Sequence, residues 1–220
     1  MNSSWVWPRT RVSMARPKHT ELVESEGVKD NRRLTSLTGC VLLVLLFVEG
    51  LTVLLGVRQQ IQLHVFVGML LIPPIALKLV SVGYRFFRYY TGSAAYRAAG
   101  PPPPLMRALG PLVVLTTITL FGSGVVLIVF GRSQLALTLH KLSFFVWFIA
   151  MSVHVLWHAR ALPSVLLEEW SRRSRHRGTA VRVAAVTAML GIGVGIALLT
   201  VHLAGAWSHH HFDRGFGEQH

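Results

Sequence analysis

Three histidines lie within one long apolar stretch of the chain, residues 135–162. They are His140, His154 and His158, and an ionisable residue inside a membrane span indicates a functional site. Because an α-helix turns by about 100° per residue, His140 and His154 lie within about 40° of each other on the helix face and about 21 Å apart along the axis. Two imidazoles placed in this way, one near each membrane surface, can hold cofactors across a bilayer.

The composition predicts an integral membrane protein. Of 220 residues, 52% are hydrophobic and 14% are charged, and the apolar residues form runs of about 20, the length that crosses a bilayer as a helix. The net charge of +13 is explained by basic loops on the cytoplasmic side of a membrane, so no nucleic-acid partner is expected. The single cysteine, Cys40, excludes an intramolecular disulfide and a CxxC metal site.

The apolar runs predict an all-α fold, a bundle of five transmembrane helices within residues 34–203. The predicted spans are 34–57, 61–82, 109–130, 135–162 and 181–203. Short turns join the first span to the second and the third to the fourth, so each of these pairs is expected to be antiparallel neighbours. Residues 1–33 are expected to be a disordered, basic cytoplasmic segment, and residues 204–220 an external polar tail rich in histidine.

The distribution of lysine and arginine predicts how the spans are oriented. Segments 1–33, 84–108 and 159–182 carry seven, four and six of these residues, against four on the opposite side of the membrane. Basic residues collect in cytoplasmic loops. We therefore expect a multi-pass protein of a bacterial-type cytoplasmic (plasma) membrane, with its N-terminus inside and its C-terminus outside.

Two histidines are expected at the same depth in the bilayer. The second and fourth spans run in the same direction, with His64 about four residues into the second and His140 about five into the fourth, both near the outer face. Neutral imidazole is a suitable axial ligand for haem. The pair therefore predicts a bis-histidine haem site.

The span count, the span order and these histidines resemble membrane b-type cytochromes of the formate dehydrogenase gamma and nickel–iron hydrogenase type, over residues 34–203. In that family the two histidines of the fourth span ligate different b haems. The resemblance implies that His64 and His140 bind an outer haem iron and that His154 binds an inner haem iron, giving one or two haems. It further implies an electron-transfer subunit rather than a self-contained enzyme, with a redox partner on another chain and a quinone.

The chain departs from the family pattern at the inner haem. The first span has no histidine, which the gamma subunits use as the inner ligand. Quinol-oxidising cytochromes b use a second-span histidine fourteen residues after the first, and that position here is Lys78. A lysine amine on iron, Met189 as a partner of His154, and Lys78 snorkelling to the interface are open alternatives. One bis-histidine haem is better supported than two.

Other polar residues of the spans leave several roles open. His158 is one helical turn from His154 and shares its face, so the two are candidates for cofactor binding, proton transfer near a quinone or hydrogen bonds between helices. Glu49 is a candidate proton acceptor at a quinol site, partner of a haem-ligand histidine or ion-pair partner of Arg58. The alternative function is a non-redox membrane protein, transporter-like or structural, with an interhelical polar network.

Proline and glycine patterns predict local features of the bundle. Pro73 and Pro74 should kink or loosen the second span, and the carbonyls they free need partners from neighbours. The motif at 191–195, with glycine at alternate positions, indicates close helix packing. The four prolines at 101–104 indicate a rigid extended spacer, with partner docking as the alternative.

Overall fold

The computed structural model describes residues 26–98, 104–131, 133–159 and 177–205, which are almost entirely helical and contain no strand. In chain order the helices are α1 (Glu26–Leu54), α2 (Ile61–Tyr90), α3 (Ala94–Ala98), α4 (Pro104–Val129), α5 (Gln134–Ala159) and α6 (Arg177–Thr200), followed by a 3₁₀ helix at Val201–Ala204. All except α3 and the 3₁₀ helix are long and apolar enough to cross a membrane. The predicted all-α fold with five membrane-spanning helices is confirmed.

The outward faces of the long helices are apolar. Phe47, Phe130 and Leu199 are 67%, 81% and 74% exposed. Leaving such side chains in water forfeits about 25 cal/mol for each Å² of apolar surface, whereas hydrocarbon chains of a bilayer accommodate them. This surface belongs to a multi-pass membrane protein.

Helix α2 is the centre of the bundle and packs against both α1 and α6. Its residues Val67 and Leu71 contact Leu42 of α1, and its residue Leu70 lies in a second cluster with Ala197 of α6. The pairs α1–α2 and α4–α5 are in extensive contact, which confirms the two predicted neighbouring pairs. The packing of α6 on α2 joins elements far apart in the chain.

Tight turns connect the two neighbouring pairs. Gly56 between α1 and α2 has a φ of +95°, and Gly131 between α4 and α5 has a φ of +81°. A side chain is strained in this left-handed region, whereas glycine adopts it readily. These glycines let the chain reverse within a few residues, and His64 and His140 both follow soon after such a turn.

Helix α2 continues without interruption through Pro73 and Pro74, both buried. Proline lacks an amide hydrogen, so Pro74 removes the donor that would bond the Leu70 carbonyl in a regular helix. Gly193 of α6 lies directly over this carbonyl, since a Cβ on Gly193 would be 2.5 Å from Leu70 O. Helix α6 is therefore the neighbour that covers the Leu70 carbonyl, as expected for a carbonyl freed by proline. Gly191 and Gly195 have no comparable neighbour within 4 Å among the described residues.

The ends of α1 and α6 that lie near each other are joined by an ion pair. Nη1 of Arg182, on α6, lies 2.6 Å from Oδ1 of Asp30 on α1. One residue later, the side-chain amide of Asn31 donates to the carbonyl of Ser81 on α2 at 3.2 Å. These contacts support a helix that begins at Glu26. The prediction of disorder for 1–33 is thus wrong for 26–33, and residues 1–25 lie outside the described residues.

Other predicted boundaries also change. Pro104, the last of the four prolines, begins α4, as proline in a first helical turn can do without losing a hydrogen bond. Prolines 101–103 lie outside the described residues, as does most of the predicted tail, 206–220. The second span extends beyond its predicted end at 82 to Tyr90. α5 ends at Ala159, and the residues after it up to 176 are not described.

Candidate functional site

His64 is the fourth residue of α2 and is held by two groups of α1. Its Nδ1 lies 2.7 Å from Oε1 of Glu49 and 3.1 Å from Oγ1 of Thr52. The Thr52 hydroxyl donates to the backbone carbonyl of Glu49 at 2.7 Å, so its oxygen is free to accept. Both groups therefore accept the Nδ1–H of His64. In the neutral imidazole this leaves the lone pair on Nε2.

His140 of α5 is held in a similar way by α4. Its Nδ1–H donates to the backbone carbonyl of Leu120 at 3.0 Å, with Oγ of Ser123 at 3.3 Å. Gly124 makes room for the ring, because a Cβ at that position would lie 3.2 Å from Cε1 of His140. The neutral ring again carries its lone pair on Nε2.

The two imidazoles meet between α2 and α5. Their ring centroids are 6.3 Å apart and their planes are inclined at 88°. The two helices are not in extensive contact, and the two rings meet edge to face between them. Neither Nε2 atom has a hydrogen-bond partner in the part of the chain that the structure describes. The structure thus brings together the two residues that the sequence places at one depth.

The separation of the two rings is compatible with two imidazoles on one metal ion. Nitrogen–metal bonds of about 2.1 Å on opposite sides of one ion place two imidazole centroids roughly 6–6.5 Å apart. Metal-binding histidines regularly donate their other N–H to a carboxylate or carbonyl, which sets their tautomer and orientation. His64 has a carboxylate partner and His140 a carbonyl partner. The described residues contain no cluster of three or more His, Cys, Asp or Glu for a metal ion held by protein alone.

An apolar groove of about 150 Å³ separates α2 from α4 farther along the bundle. Its lining includes the α2 residues Ile72, Ile75, Ala76 and Leu79 and the α4 residues Thr117, Ile118 and Phe121. Cofactor sites are concave and mostly apolar, with a few placed polar groups. Neither His64 nor His140 lines this groove, and its volume is below the roughly 300–1,000 Å³ of a cofactor pocket, so it is not by itself a haem site.

A buried hydrogen bond fixes how α5 faces α4. Nε1–H of Trp147 donates to Oγ1 of Thr117 at 2.9 Å. Trp147 is seven residues after His140, with buried Ser143 between them, so all three lie on one face of α5. The Trp147–Thr117 bond therefore helps to direct His140 inward.

Lys78 is directed at α1. Its Nζ donates to the backbone carbonyl of Thr35 at 2.5 Å, and a Cβ on Gly39 would lie 3.0 Å from that nitrogen. The hydroxyl oxygens of Thr35 and Ser81 are 3.0 Å apart and extend the network. Lys78 therefore makes a hydrogen bond between α1 and α2 in this structure.

His154 and His158 lie apart from the His64–His140 pair and contact each other. Their ring centroids are 4.5 Å apart, and Nδ1–H of His158 donates to the backbone carbonyl of His154 at 2.9 Å. Nδ1 of His154 is buried without a partner among the described residues. Helix α6, which carries Met189, packs mainly on α2.

Several residues of the site were not singled out from the sequence. Thr52 follows Glu49 by three positions, and this spacing in the sequence weakly indicates that the two side chains share one face of α1. Ser123 and the carbonyl of Leu120 had no signal, because a backbone acceptor is independent of residue type. The contact of Glu49 with His64, rather than with Arg58, decides between two of the roles left open for it.

Comparison with known proteins adds no evidence on the function of this site. The chain matches no protein-family model, no curated protein and no solved structure.

Proposed function

We propose that the protein is a membrane haem-b electron-transfer subunit in which His64 and His140 are the axial ligands of one haem. The observation that carries this proposal is the perpendicular imidazole pair at 6.3 Å, with both Nδ1 atoms engaged by neighbouring helices. When bound, haem supplies one-electron oxidation and reduction. The chain's own residues orient the two Nε2 atoms and surround them with apolar helices that exclude water.

The electrons must come from and pass to other molecules. The described residues form long helices and short connections, with no soluble redox domain among them. A partner redox subunit on another chain and a membrane quinone are the proposed electron donor and acceptor, in either direction. The positive-inside rule places the N-terminus in the cytoplasm and the histidine pair near the outer face of a bacterial-type plasma membrane.

One haem agrees better with the side-chain contacts than two. The amine of Lys78 is bonded to the α1 backbone, and His154 contacts His158 rather than a second ligand. An inner haem at His154 would need a second ligand, and Lys78 would have to give up its bond to the α1 backbone to provide it.

The second candidate function is a non-redox membrane protein. The observation that favours it is the hydrogen-bond network of Asn31, Thr35, Lys78 and Ser81 between α1 and α2. Such networks stabilise helix packing in membranes by about 0.6 kcal/mol for each bond. A histidine pair without haem would then be another part of the same kind of network.

Spectroscopy separates the two functions. The full chain is expressed with haem supplementation and purified in detergent, and its reduced-minus-oxidised spectrum and haem content are measured. We expect a b-type spectrum and one haem for each chain. A folded protein with native far-ultraviolet circular dichroism and no Soret band would contradict the proposal and favour the non-redox candidate.

Substitution of Gly124 tests the packing behind His140. In Gly124→Val, the new side chain would overlap the imidazole, because even a Cβ lies 3.2 Å from Cε1. We expect haem affinity to fall by about 10-fold, as for other changes to groups that orient a metal ligand. Gly122→Val is the matched control, since no atom lies within 4 Å of a Cβ there. Equal haem affinity in the two variants would contradict the proposed role of His140.

A further inference from the structure

We infer that Glu49 is a positioning residue that lowers the reduction potential of the haem by polarising the Nδ1–H of His64. The inference rests on the proposed function, because it requires iron on Nε2 of His64. Glu49 belongs to α1 and reaches His64 across the α1–α2 interface.

The geometry directs one carboxylate oxygen at the ligand. Oε1 of Glu49 lies 2.7 Å from Nδ1 of His64, and the two side chains are only 16% and 20% exposed. The other oxygen, Oε2, is buried and receives no hydrogen bond from the described residues. The carboxylate therefore has His64 as its principal donor and does not share its acceptor strength with other groups.

The two proposed ligands are held unequally. His140 donates to the uncharged carbonyl of Leu120 at 3.0 Å, a longer bond than that of His64 to Glu49. Charge-assisted hydrogen bonds are shorter than neutral ones and roughly twice as strong. His64 is therefore the more strongly polarised of the two ligands.

The direction of the effect on the potential follows from charge. A hydrogen bond to a carboxylate raises the basicity of the histidine that binds the metal, which stabilises ferric iron over ferrous. Oxidation also adds a positive charge to the site, and a nearby negative charge stabilises it more in a water-excluded interior than in water. Both contributions favour the oxidised state, so Glu49 lowers the potential.

The test is the midpoint potential of the Glu49→Gln variant. Glutamine has the same shape and accepts the same hydrogen bond, but it lacks the charge. We expect full haem content and a shift of the redox equilibrium by about tenfold toward the reduced form. For one electron, this corresponds to a midpoint potential about 59 mV higher. The electron paramagnetic resonance g values and near-infrared charge-transfer band of the ferric protein should shift from imidazolate-like to those of neutral imidazole ligands.

Ser123→Ala is the matched control, because His140 keeps its bond to the Leu120 carbonyl and loses only the longer contact. We expect it to move the potential by less than half as much as Glu49→Gln. An unchanged potential in haem-replete Glu49→Gln, or an equal shift in Ser123→Ala, would overturn the inference. If Glu49→Gln binds no haem, the inference is tested on the parent protein instead. Ferric spectra of the parent that are typical of two neutral imidazole ligands would overturn the inference.

The outcomes for the two proposals are distinguishable. A parent protein without haem removes the proposed function and this inference together. A parent protein with haem whose potential and ferric spectra do not depend on Glu49 removes the inference alone.

Discussion

Replacing His140 with alanine is expected to remove haem from the purified protein while the helices stay folded. The substitution deletes one of two proposed axial ligands, and the ring is only partly buried, so the packing lost is modest. The loss of affinity should exceed the about 10–100-fold that removing an outer-shell partner typically causes. Haem for each chain is measured with the pyridine haemochrome spectrum, and helix content by circular dichroism. His64→Ala should give the same result.

The matched control for this experiment is His158→Ala. The His158 side chain is exposed and is bonded within its own helix, so this variant should retain full haem content. His154→Ala should also retain it if one haem binds at the His64–His140 pair. Full haem content in His140→Ala would exclude that residue as a ligand, and loss of haem in His154→Ala alone would place the cofactor elsewhere.

Gly193→Ala is expected to destabilise the bundle more than the same substitution at Gly191 or Gly195. The new Cβ would lie 2.5 Å from the Leu70 carbonyl and 3.0 Å from a methyl group of the same residue. The obstacle is backbone, which cannot rotate away, so α2 and α6 must separate. Overpacking of this kind costs about 1–3 kcal/mol. The free energy of unfolding in mixed detergent micelles, followed by circular dichroism, measures the effect.

Gly191→Ala provides the same chemical change without the obstacle. No atom lies within 4 Å of a Cβ at Gly191, and alanine favours helix over glycine by about 1 kcal/mol in water. This variant should be as stable as the parent or slightly more so. Similar losses in both variants would show that the motif acts through helix flexibility and not through the contact at Leu70.

The fold was largely predictable because its strongest signal is local. Each span is an uninterrupted apolar run, and the short turns at Gly56 and Gly131 dictate which spans are neighbours. The α2–α6 contact was not predictable in this way. It depends on the fit of one glycine to one carbonyl more than 100 residues earlier, and the three glycines of the motif look alike in sequence although only Gly193 makes a close contact.

The depth of the two histidines in the bilayer was predictable, but the rotation of each helix about its own axis was not. Counting from the turns placed His64 and His140 at one level, because each helix rises by a constant amount per residue. The angle of each helix about its axis decides whether Glu49 reaches His64 or Arg58. The same angle turns Lys78 toward Thr35. These angles are set by packing among all the helices, through contacts such as Trp147–Thr117. The spacing of residues along one helix therefore does not determine them.

The cover that Gly193 provides for Leu70 has a consequence for biosynthesis. Pro74 deprives the Leu70 carbonyl of its partner as soon as α2 forms, but Gly193 is made 119 residues later. At about 5–20 residues per second, translation leaves this interval at roughly 6–24 s. During that time a polar carbonyl within the bilayer lacks its final neighbour. The nascent chain would therefore need a temporary neighbour for this carbonyl of α2, supplied by the insertion machinery, water or lipid, until α6 is synthesised.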